Sequence, residues 1–227
     1  MSFKVTWLGH GSWAIDIDGH KGVLDPFLSG NPMASTTADA IEADFILVTH
    51  GHGDHVGDAV SIAKRTGALV VCNHEIAGWF GRKGLNSVHA QHLGGGYQHA
   101  FGHVKFTIAH HGSGLPDGSY GGNPAGMILT NKSGKKVYFA GDTALFMDMQ
   151  LYAGCDLAIL PIGDNFTMGP EDALKAVEFL KPKAVIPCHY NTFPPIQVDA
   201  AAWVDAVNNQ TDTKAILLDP GDTYTVE

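Results

Sequence analysis

Residues 49–55 read THGHGDH and place His50, His52, Asp54 and His55 within six positions, separated only by glycine. Because His50 and His52 are two residues apart, both side chains point to the same side of an extended segment. The glycines permit tight loop geometry. Neutral imidazole and carboxylate groups suit Zn²⁺, Mn²⁺ or Fe²⁺. The segment could therefore present two imidazoles to one cation and the Asp54–His55 pair to a second.

Four residues are too few, because two transition metals with four or five ligands each need further donors. Candidate donors follow three later apolar strands: His110 and His111 in AHHGSG, Asp142 in AGDT, and His189 in IPCHYN. Each lies at the C-terminal end of a hydrophobic strand, from which side chains can reach a common sheet edge. Either histidine of the HH pair could serve.

The elements that position these donors are mainly strands. Short runs rich in Val, Ile and aromatic residues, mostly bounded by Gly, Asp, Asn or Pro, predict strands. They cover residues 3–8, 13–18, 22–25, 45–50, 68–72, 104–110, 126–131, 136–142, 156–163, 184–190, 215–219 and 223–226. Helices are predicted over residues 57–66, 170–180 and 200–207, with a weaker candidate over 75–81.

Two groups of strands, each ending in helix, predict an α/β fold in which two sheets pack together with helices outside. The chain has no linker rich in Pro, Ser or charge, and no strong repeat. We therefore expect a single domain over residues 1–227.

Composition limits the function. The chain has 227 residues, 44% of them hydrophobic, and 14 basic against 23 acidic side chains, a net charge of −9. This excess argues against a nucleic-acid binder, since such binding depends on Lys and Arg. The possibility of a small anionic substrate stays open because bound cations can dominate the local field.

No signal peptide or run of about 20 apolar residues stands out. With three cysteines and no CxxC spacing, we expect a reduced, cytoplasmic protein without membrane contact.

The four motifs HGHGDH, a later histidine, Gly-Asp-Thr and a last histidine, in that order, resemble the metallo-β-lactamase superfamily over essentially the whole chain. The stretches PIGDNFTMGPEDA (161–173) and IPCHYNTFP (186–194) are similar to a bacterial and archaeal family of metal-dependent hydrolases, distantly related to L-ascorbate-6-phosphate lactonase. The resemblance implies a four-layer αββα sandwich with two mixed sheets and outer helices.

The resemblance also implies a ligand set for two divalent metal ions, Zn by preference with Mn or Fe as alternatives. One metal would be held by His50, His52 and His111, the other by Asp54, His55 and His189, with Asp142 bridging both. His111 is preferred to His110 because the family has its ligand second after the strand's alanine. Neighbouring side chains point oppositely, so only one of the pair should bind.

Four further residues lie close to these motifs in the sequence or in the resemblance. The resemblance places His10, in a turn after the first strand, near the metal rim, and His92 is a candidate for lining the cleft. Asp25 lies behind the metal histidines in relatives, where it could hold the second nitrogen of a ligand imidazole. Cys188 precedes His189 in a strand and should face the core.

Phe27, Phe166, Met168, Phe193 and Pro194 flank the motifs and could form an apolar wall for the substrate, although packing is the simpler role.

The predicted activity is hydrolysis of a small ester, lactone or phosphoester by a hydroxide bridging two metals, with Asp54 holding the hydroxide in line. No serine in GxSxG context offers another nucleophile. One alternative is an iron-dependent oxidoreductase on the same fold. Another is a phosphodiesterase or nuclease acting on nucleic acid, which the net charge disfavours. The substrate would be a small molecule, and homo-oligomerisation is left open.

Overall fold

The computed structural model describes residues 2–227, whose strands form two seven-stranded sheets. The first sheet consists of β1 (Phe3–Gly9), β2 (Ser12–Ile17), β3 (His20–Leu24), β4 (Phe45–Leu47), β5 (Leu69–Asn73), β6 (Val88–Gln91) and β14 (Thr223–Thr225). Their order is β14-β1-β2-β3-β4-β5-β6. The pairs from β14 to β3 are antiparallel, and those from β3 to β6 are parallel. As a result, β1 and β4 run in the same direction.

The second sheet has the same layout. It consists of β7 (Gly96–His99), β8 (Gly102–Ile108), β9 (Ala125–Thr130), β10 (Lys136–Phe139), β11 (Leu157–Pro161), β12 (Ala184–Cys188) and β13 (Lys214–Ala215). The order is β13-β12-β11-β10-β9-β8-β7. The pairs from β7 to β10 are antiparallel, and those from β10 to β13 are parallel. Strands β8, β10 and β12 therefore end at the same edge.

Helices cover the outer faces of both sheets. They are α1 (Gly53–Val56), α2 (Ala59–Thr66), α3 (His74–Arg82), α4 (Pro170–Leu180) and α5 (Ala200–Gln210). Ile62 of α2 and Phe80 of α3 pack in one buried cluster with Ile46 and Val70 of the first sheet. Helix α4 contacts β11, and α5 contacts β13. The four-layer αββα sandwich with two mixed sheets and outer helices is confirmed.

Aromatic side chains fill the space between the sheets. The rings of Trp13 (β2) and Phe139 (β10) meet edge to face at 6.4 Å, and both residues are 1% exposed. The ring of Phe45 (β4) stacks on Phe101, which precedes β8, at 3.7 Å. Such pairs stabilise a core beyond the area they bury. The inter-sheet layer is thus a close-packed spacer.

The predicted helix over residues 57–66 is wrong at its start, because α2 begins at Ala59. The backbone N–H of Asp58 donates to the carbonyl of Pro26 at 2.8 Å instead of continuing a helix from α1. Its carboxylate accepts the backbone N–H groups of Leu28 and Ser29 at 2.7 and 2.8 Å. The loop after β3 thus interrupts the helix. The predicted helix over residues 170–180 is confirmed at both ends.

Two strands, β6 and β7, were not predicted from the sequence, and others are shorter than predicted. Strands β6 and β7 are the outer strands at one end of each sheet. Their sequences, VHAQ and GYQH, lack apolar alternation because edge positions are partly solvated. The predicted strand over residues 45–50 ends at Leu47, and that over 215–219 reduces to Lys214–Ala215.

Within residues 2–227, no helix has the length and apolar character to span a bilayer.

Candidate metal centre

The seven predicted ligand residues follow the C-terminal ends of four strands. His50, His52, Asp54 and His55 come after β4 and enter α1, whereas His111, Asp142 and His189 come after β8, β10 and β12. Strand β4 belongs to the first sheet and the other three to the second. The seven side chains gather in two neighbouring groups at this edge of the sandwich, where the two sheets meet.

Glycines allow this close approach at specific points. A Cβ atom on Gly51 would lie 3.0 Å from the carbonyl oxygen of Ser113, so a side chain would crowd the loop. Gly141, with φ +63°, lies directly before Asp142, and its Cβ would be 2.8 Å from the carbonyl oxygen of Ala125. By contrast, Gly53 has its nearest neighbour at 4.0 Å. The HGHGDH segment therefore requires its first glycine for packing but not its second.

The first group contains His50, His52 and His111, whose donor nitrogens all lie within 4.8 Å of one another. His50 Nε2 and His52 Nδ1 are 3.1 Å apart. Two ligands of a tetrahedral zinc with bonds of 2.0–2.1 Å lie about 3.3 Å apart. The spacing is therefore that of two ligands sharing one cation.

The second group contains Asp54, His55 and His189 together with His10, again with donor atoms within 4.8 Å. Three segments bring these residues together: α1 carries Asp54 and His55, His189 directly follows β12, and His10 lies in the turn between β1 and β2. The rings of His55 and His189 lie parallel with centroids 5.7 Å apart. The structure thus gathers the three residues predicted for a second cation and adds a fourth side chain.

Asp142 lies between the groups. Its Oδ2 atom is 3.0 Å from His189 Nε2 and 3.3 Å from His55 Nε2 in one group. The same oxygen is 3.6 Å from His111 Nε2 and 3.9 Å from His50 Nε2 in the other. A single carboxylate oxygen therefore faces imidazole nitrogens of both groups.

The charges of the centre follow from burial opposed by these contacts. Burial alone would raise the pKa of Asp142, but the neighbouring His189 and His55 hold that pKa well below its usual range. Burial lowers the pKa of His50 well below its ordinary value, and the nearby His55 lowers it further. Asp142 is therefore an anion, and His50 is a neutral imidazole with a free lone pair. These two residues are thus in the protonation states that metal ligation requires, whereas Asp142 and Asp25 raise the pKa of the buried His55 well above its usual value, so a cation bound there would displace a proton.

Several buried nitrogens at the centre lack hydrogen-bond partners. They are His55 Nε2 and both ring nitrogens of His189. His55 Nε2 and His189 Nε2 approach the Asp142 carboxylate, yet neither makes a hydrogen bond. A buried polar atom left unpaired costs about 1–3 kcal/mol. Imidazole nitrogens aimed at a common space beside a carboxylate fit divalent cations.

Asp25 fixes the orientation of two ligand imidazoles from behind. Its Oδ2 accepts from His55 Nδ1 at 2.8 Å and from the Thr49 hydroxyl at 2.5 Å. The Thr49 oxygen is in turn 3.0 Å from His50 Nδ1 and, having given its proton to Asp25, accepts there. Both rings therefore carry their proton on Nδ1 and turn Nε2 towards the centre. The family resemblance predicts the Asp25 contact, whereas nothing in the sequence indicates the contact of Thr49.

The structure places His111 in the candidate centre and the two other uncertain histidines, His110 and His92, outside it. His110 is exposed, and its ring packs edge to face on Phe146 at 5.0 Å, whereas His111 joins the centre. His92 is exposed, and its Nδ1 accepts the N–H of Leu93, so the expectation that it lines the cleft finds no support. Cys188 belongs to the main buried cluster, as predicted.

His10 is fully buried beside the second group. It has a left-handed backbone conformation with φ +57°, and its ring centroid is 3.9 Å from that of His189. Its Nε2 is 3.1 Å from Asp54 Oδ2, and its Nδ1 is 2.9 Å from the Thr192 hydroxyl. Burial lowers the pKa of His10 to about 4. Burial works against the charged form of Asp54, but the hydrogen bond from His10 holds the pKa of Asp54 below its usual range.

Aromatic residues lie above His10. Phe27 and Phe193 pack edge to face on its ring, at 5.8 and 5.5 Å, and lie 6.4 Å from each other. Phe166 is 57% exposed and does not belong to either buried core cluster. Met168 is 1% exposed and belongs to the core, which removes it from the predicted apolar wall.

Fold and side chains together define a metal-dependent hydrolase of the metallo-β-lactamase class. The model of the Beta-lactamase superfamily domain matches residues 16–190. A UPF0173 metal-dependent hydrolase of Heliobacterium modesticaldum is 48% identical over 232 residues, covering 98% of this chain and 97% of that protein. A UPF0173 hydrolase of Thermus thermophilus is 47% identical, with 99% of each chain covered.

A solved structure of a metallo hydrolase has the same fold. Igni18, described as a novel metallo hydrolase from the hyperthermophilic archaeon Ignicoccus hospitalis, superimposes with a TM-score of 0.91 at 36% identity. The match covers 100% of this chain and 99% of that one. The chain therefore belongs to the UPF0173 family of metal-dependent hydrolases within the β-lactamase superfamily.

Proposed function

We propose that this hydrolase holds two divalent cations, zinc by preference, and cleaves a small ester, lactone or phosphoester. The observation that carries the proposal is the position of Asp142 Oδ2, 3.0–3.9 Å from imidazole nitrogens of both groups. His50, His52 and His111 would hold one cation, and Asp54, His55 and His189 the other. Bound cations would supply an attacking hydroxide at neutral pH and polarise the substrate oxygen that becomes negative.

Asp54 is the proposed catalytic residue because it is the accessible carboxylate of the centre. Its side chain is 34% exposed, compared with 5% for Asp142 and 1% for Asp25. An exposed carboxylate can contact an incoming water molecule and substrate, while its low pKa keeps it ionised. Asp54 would thus accept a hydrogen bond from the attacking water and hold it in line with the scissile bond.

The surroundings support a small organic substrate. Phe27 and Phe193 offer an apolar surface next to the centre. The net charge of −9 opposes nucleic acid as a partner. The three free cysteines, all buried, are compatible with the proposed cytoplasmic location.

The test combines metal content with activity. Wild-type protein loaded with zinc should contain two ions per chain by elemental analysis and should hydrolyse members of a panel of lactones, esters and phosphodiesters. Asp142→Ala should lose at least one ion and its hydrolytic activity while remaining folded. Asp54→Asn should lose activity by a factor of 100 or more. Asp205→Asn, at an exposed position on α5, is the matched control and should behave as wild type.

Three outcomes would count against the proposal. A wild-type content of one ion after zinc loading would contradict the two-cation centre. Full metal content in Asp142→Ala would contradict the bridging position. Protein that instead binds iron and consumes oxygen with a substrate, without hydrolysing any panel member, would favour the oxidoreductase alternative. Aerobic and anaerobic assays on the same preparation separate the two activities.

A further inference from the structure

We propose that His10 is a positioning residue that donates a hydrogen bond from Nε2 to Asp54 and fixes the orientation of that carboxylate. The inference rests on the proposed function of Asp54. It assigns to His10 a role outside the seven-ligand set, although its Nε2 lies as close to the second group as a ligand would.

The hydrogen bonds around the ring determine which nitrogen carries the proton. Thr192 Oγ1 is 2.9 Å from His10 Nδ1, whereas its other acceptors, Met33 Sδ and the Tyr190 carbonyl, are 3.5 and 3.4 Å away. The single hydroxyl proton therefore points to Nδ1, the best acceptor within reach. A neutral ring that accepts at Nδ1 must carry its proton on Nε2, which faces Asp54 Oδ2 at 3.1 Å.

The backbone holds His10 rigidly in this position. The carbonyl of His10 accepts two hydrogen bonds, from the Trp7 indole at 2.9 Å and from the backbone N–H of His189 at 3.1 Å. The left-handed φ of +57° is uncommon for a residue with a side chain and persists where surrounding contacts enforce it. The same turn thus contacts Asp54 through the side chain and His189 through the backbone.

Fixing Asp54 has a defined consequence. The hydrogen bond from His10 to Oδ2 holds the carboxylate in one orientation, so that its remaining lone pairs would meet a cation and the attacking water in a fixed direction. The carboxylate would otherwise be free to rotate, since its side chain is partly exposed. Partners that orient a ligand in this way typically change metal affinity 10- to 100-fold when removed.

Two amide variants separate the contacts of His10. In His10→Gln the side-chain amide can replace Nε2–H and donate to Asp54. In His10→Asn the shorter amide can meet Thr192 but cannot reach Asp54, and asparagine tolerates the left-handed backbone. We expect His10→Asn to bind its second zinc ion 10- to 100-fold more weakly than wild type, and His10→Gln to remain within about five-fold.

The readouts are zinc affinity by chelator competition, the melting temperature of the metal-free protein, and ¹⁵N NMR of the imidazole. Metal-free His10→Asn should melt within a few degrees of wild type, which separates positioning from folding. The NMR spectrum of zinc-loaded wild type should show the His10 proton on Nε2.

Equal loss in both variants, with a spectrum showing Nε2 bound to zinc, would make His10 a ligand and overturn the proposal. Wild-type affinity in His10→Asn would also overturn it. A wild-type protein that binds fewer than two zinc ions would instead be a failure of the proposed function, which is a separate measurement.

Discussion

Oδ2 of Asp25 lies 2.8 Å from Nδ1 of His55, and the opposite nitrogen of that ring faces the metal centre. Both side chains are 1% exposed, so water does not compete for this contact. Through Thr49 the same carboxylate also reaches His50, which belongs to the other ligand group. One buried aspartate therefore orients imidazoles in both groups, so its effects should extend to both cations of the proposed centre.

Asp25→Asn should weaken zinc binding at both positions by about 10- to 100-fold, because one amide N–H₂ would face the donors of Thr49 or His55. Chelator competition followed by elemental analysis measures the loss. Asp44→Asn, at an exposed position before β4, provides the control. A loss confined to one ion would show that Thr49 does not transmit the effect to His50.

Gly11→Ala should disturb the centre without changing any ligand. A Cβ at this position would lie 2.9 Å from His55 Cε1, closer than side chains tolerate, so the His55 ring must move. We expect weaker binding of the second zinc ion, by ten-fold or more. Gly53→Ala is the matched control, since its Cβ has no neighbour closer than 4.0 Å and alanine favours helix. Equal affinities in the two variants would contradict this prediction.

Metal removal should lower thermal stability. A ligand present at 1,000 times its Kd stabilises the folded state by about 4 kcal/mol, which for a chain of this length corresponds to about 10 °C in Tm. Differential scanning fluorimetry with EDTA, followed by zinc restoration, should show a reversible shift of that size. The shift should be clearly smaller in Asp142→Ala. An EDTA-insensitive Tm in zinc-loaded wild type would show that the cluster does not hold metal.

His99 should make the protein sensitive to acid independently of the metal centre. Burial, with His89 and His103 nearby, lowers the pKa of His99 from 6.5 to about 4. Between these pH values the unfolded chain binds more protons than the folded chain, so the free energy of unfolding falls as the pH drops from about 6.5 to about 4. The full effect is at most about 3 kcal/mol, and contact of the ring with water makes it smaller.

His99→Phe, which keeps the ring stacked on Phe101, should remove this component. Urea titrations at several pH values give the free energy of unfolding of the variant and of wild type. Contributions of the metal site are the same in both proteins and cancel in the difference between these free energies. Replacement of the exposed His74 by glutamine is the control. If the free energies of unfolding of wild type and His99→Phe change in parallel between pH 4 and 6.5, protonation of His99 does not contribute to acid sensitivity.

The sequence allowed most strands to be predicted because they depend on local patterns, and it indicated the candidate donors, whereas their assignment to two cations came from the family resemblance and stays a prediction. Continuous apolar runs such as FIL and LAILP become strands buried on both faces. Polar donors directly after such runs converge because the strands share a direction. That rule also applies to His10, which follows β1, yet nothing local distinguishes it from an ordinary turn residue.

What sequence reasoning missed depends on distant contacts. The Asp54 and Thr192 partners of His10 are 44 and 182 residues away along the chain. The break before α2 arises from the hydrogen bond between Asp58 and Pro26, which brings in the loop after β3. Such long-range pairs leave no periodic pattern, so only the folded arrangement reveals them.

The aromatic side chains between the two sheets determine how far apart the two halves of the candidate centre lie. Trp13 and Phe139 border a very small cavity that also touches His55 and Asp142. Because one sheet carries the glycine-spaced histidines and the other carries Asp142, the thickness of this layer sets the span across which the reacting atoms are arranged. Replacing either aromatic ring by a smaller side chain should therefore reduce activity before it unfolds the protein, although both residues are only 1% exposed.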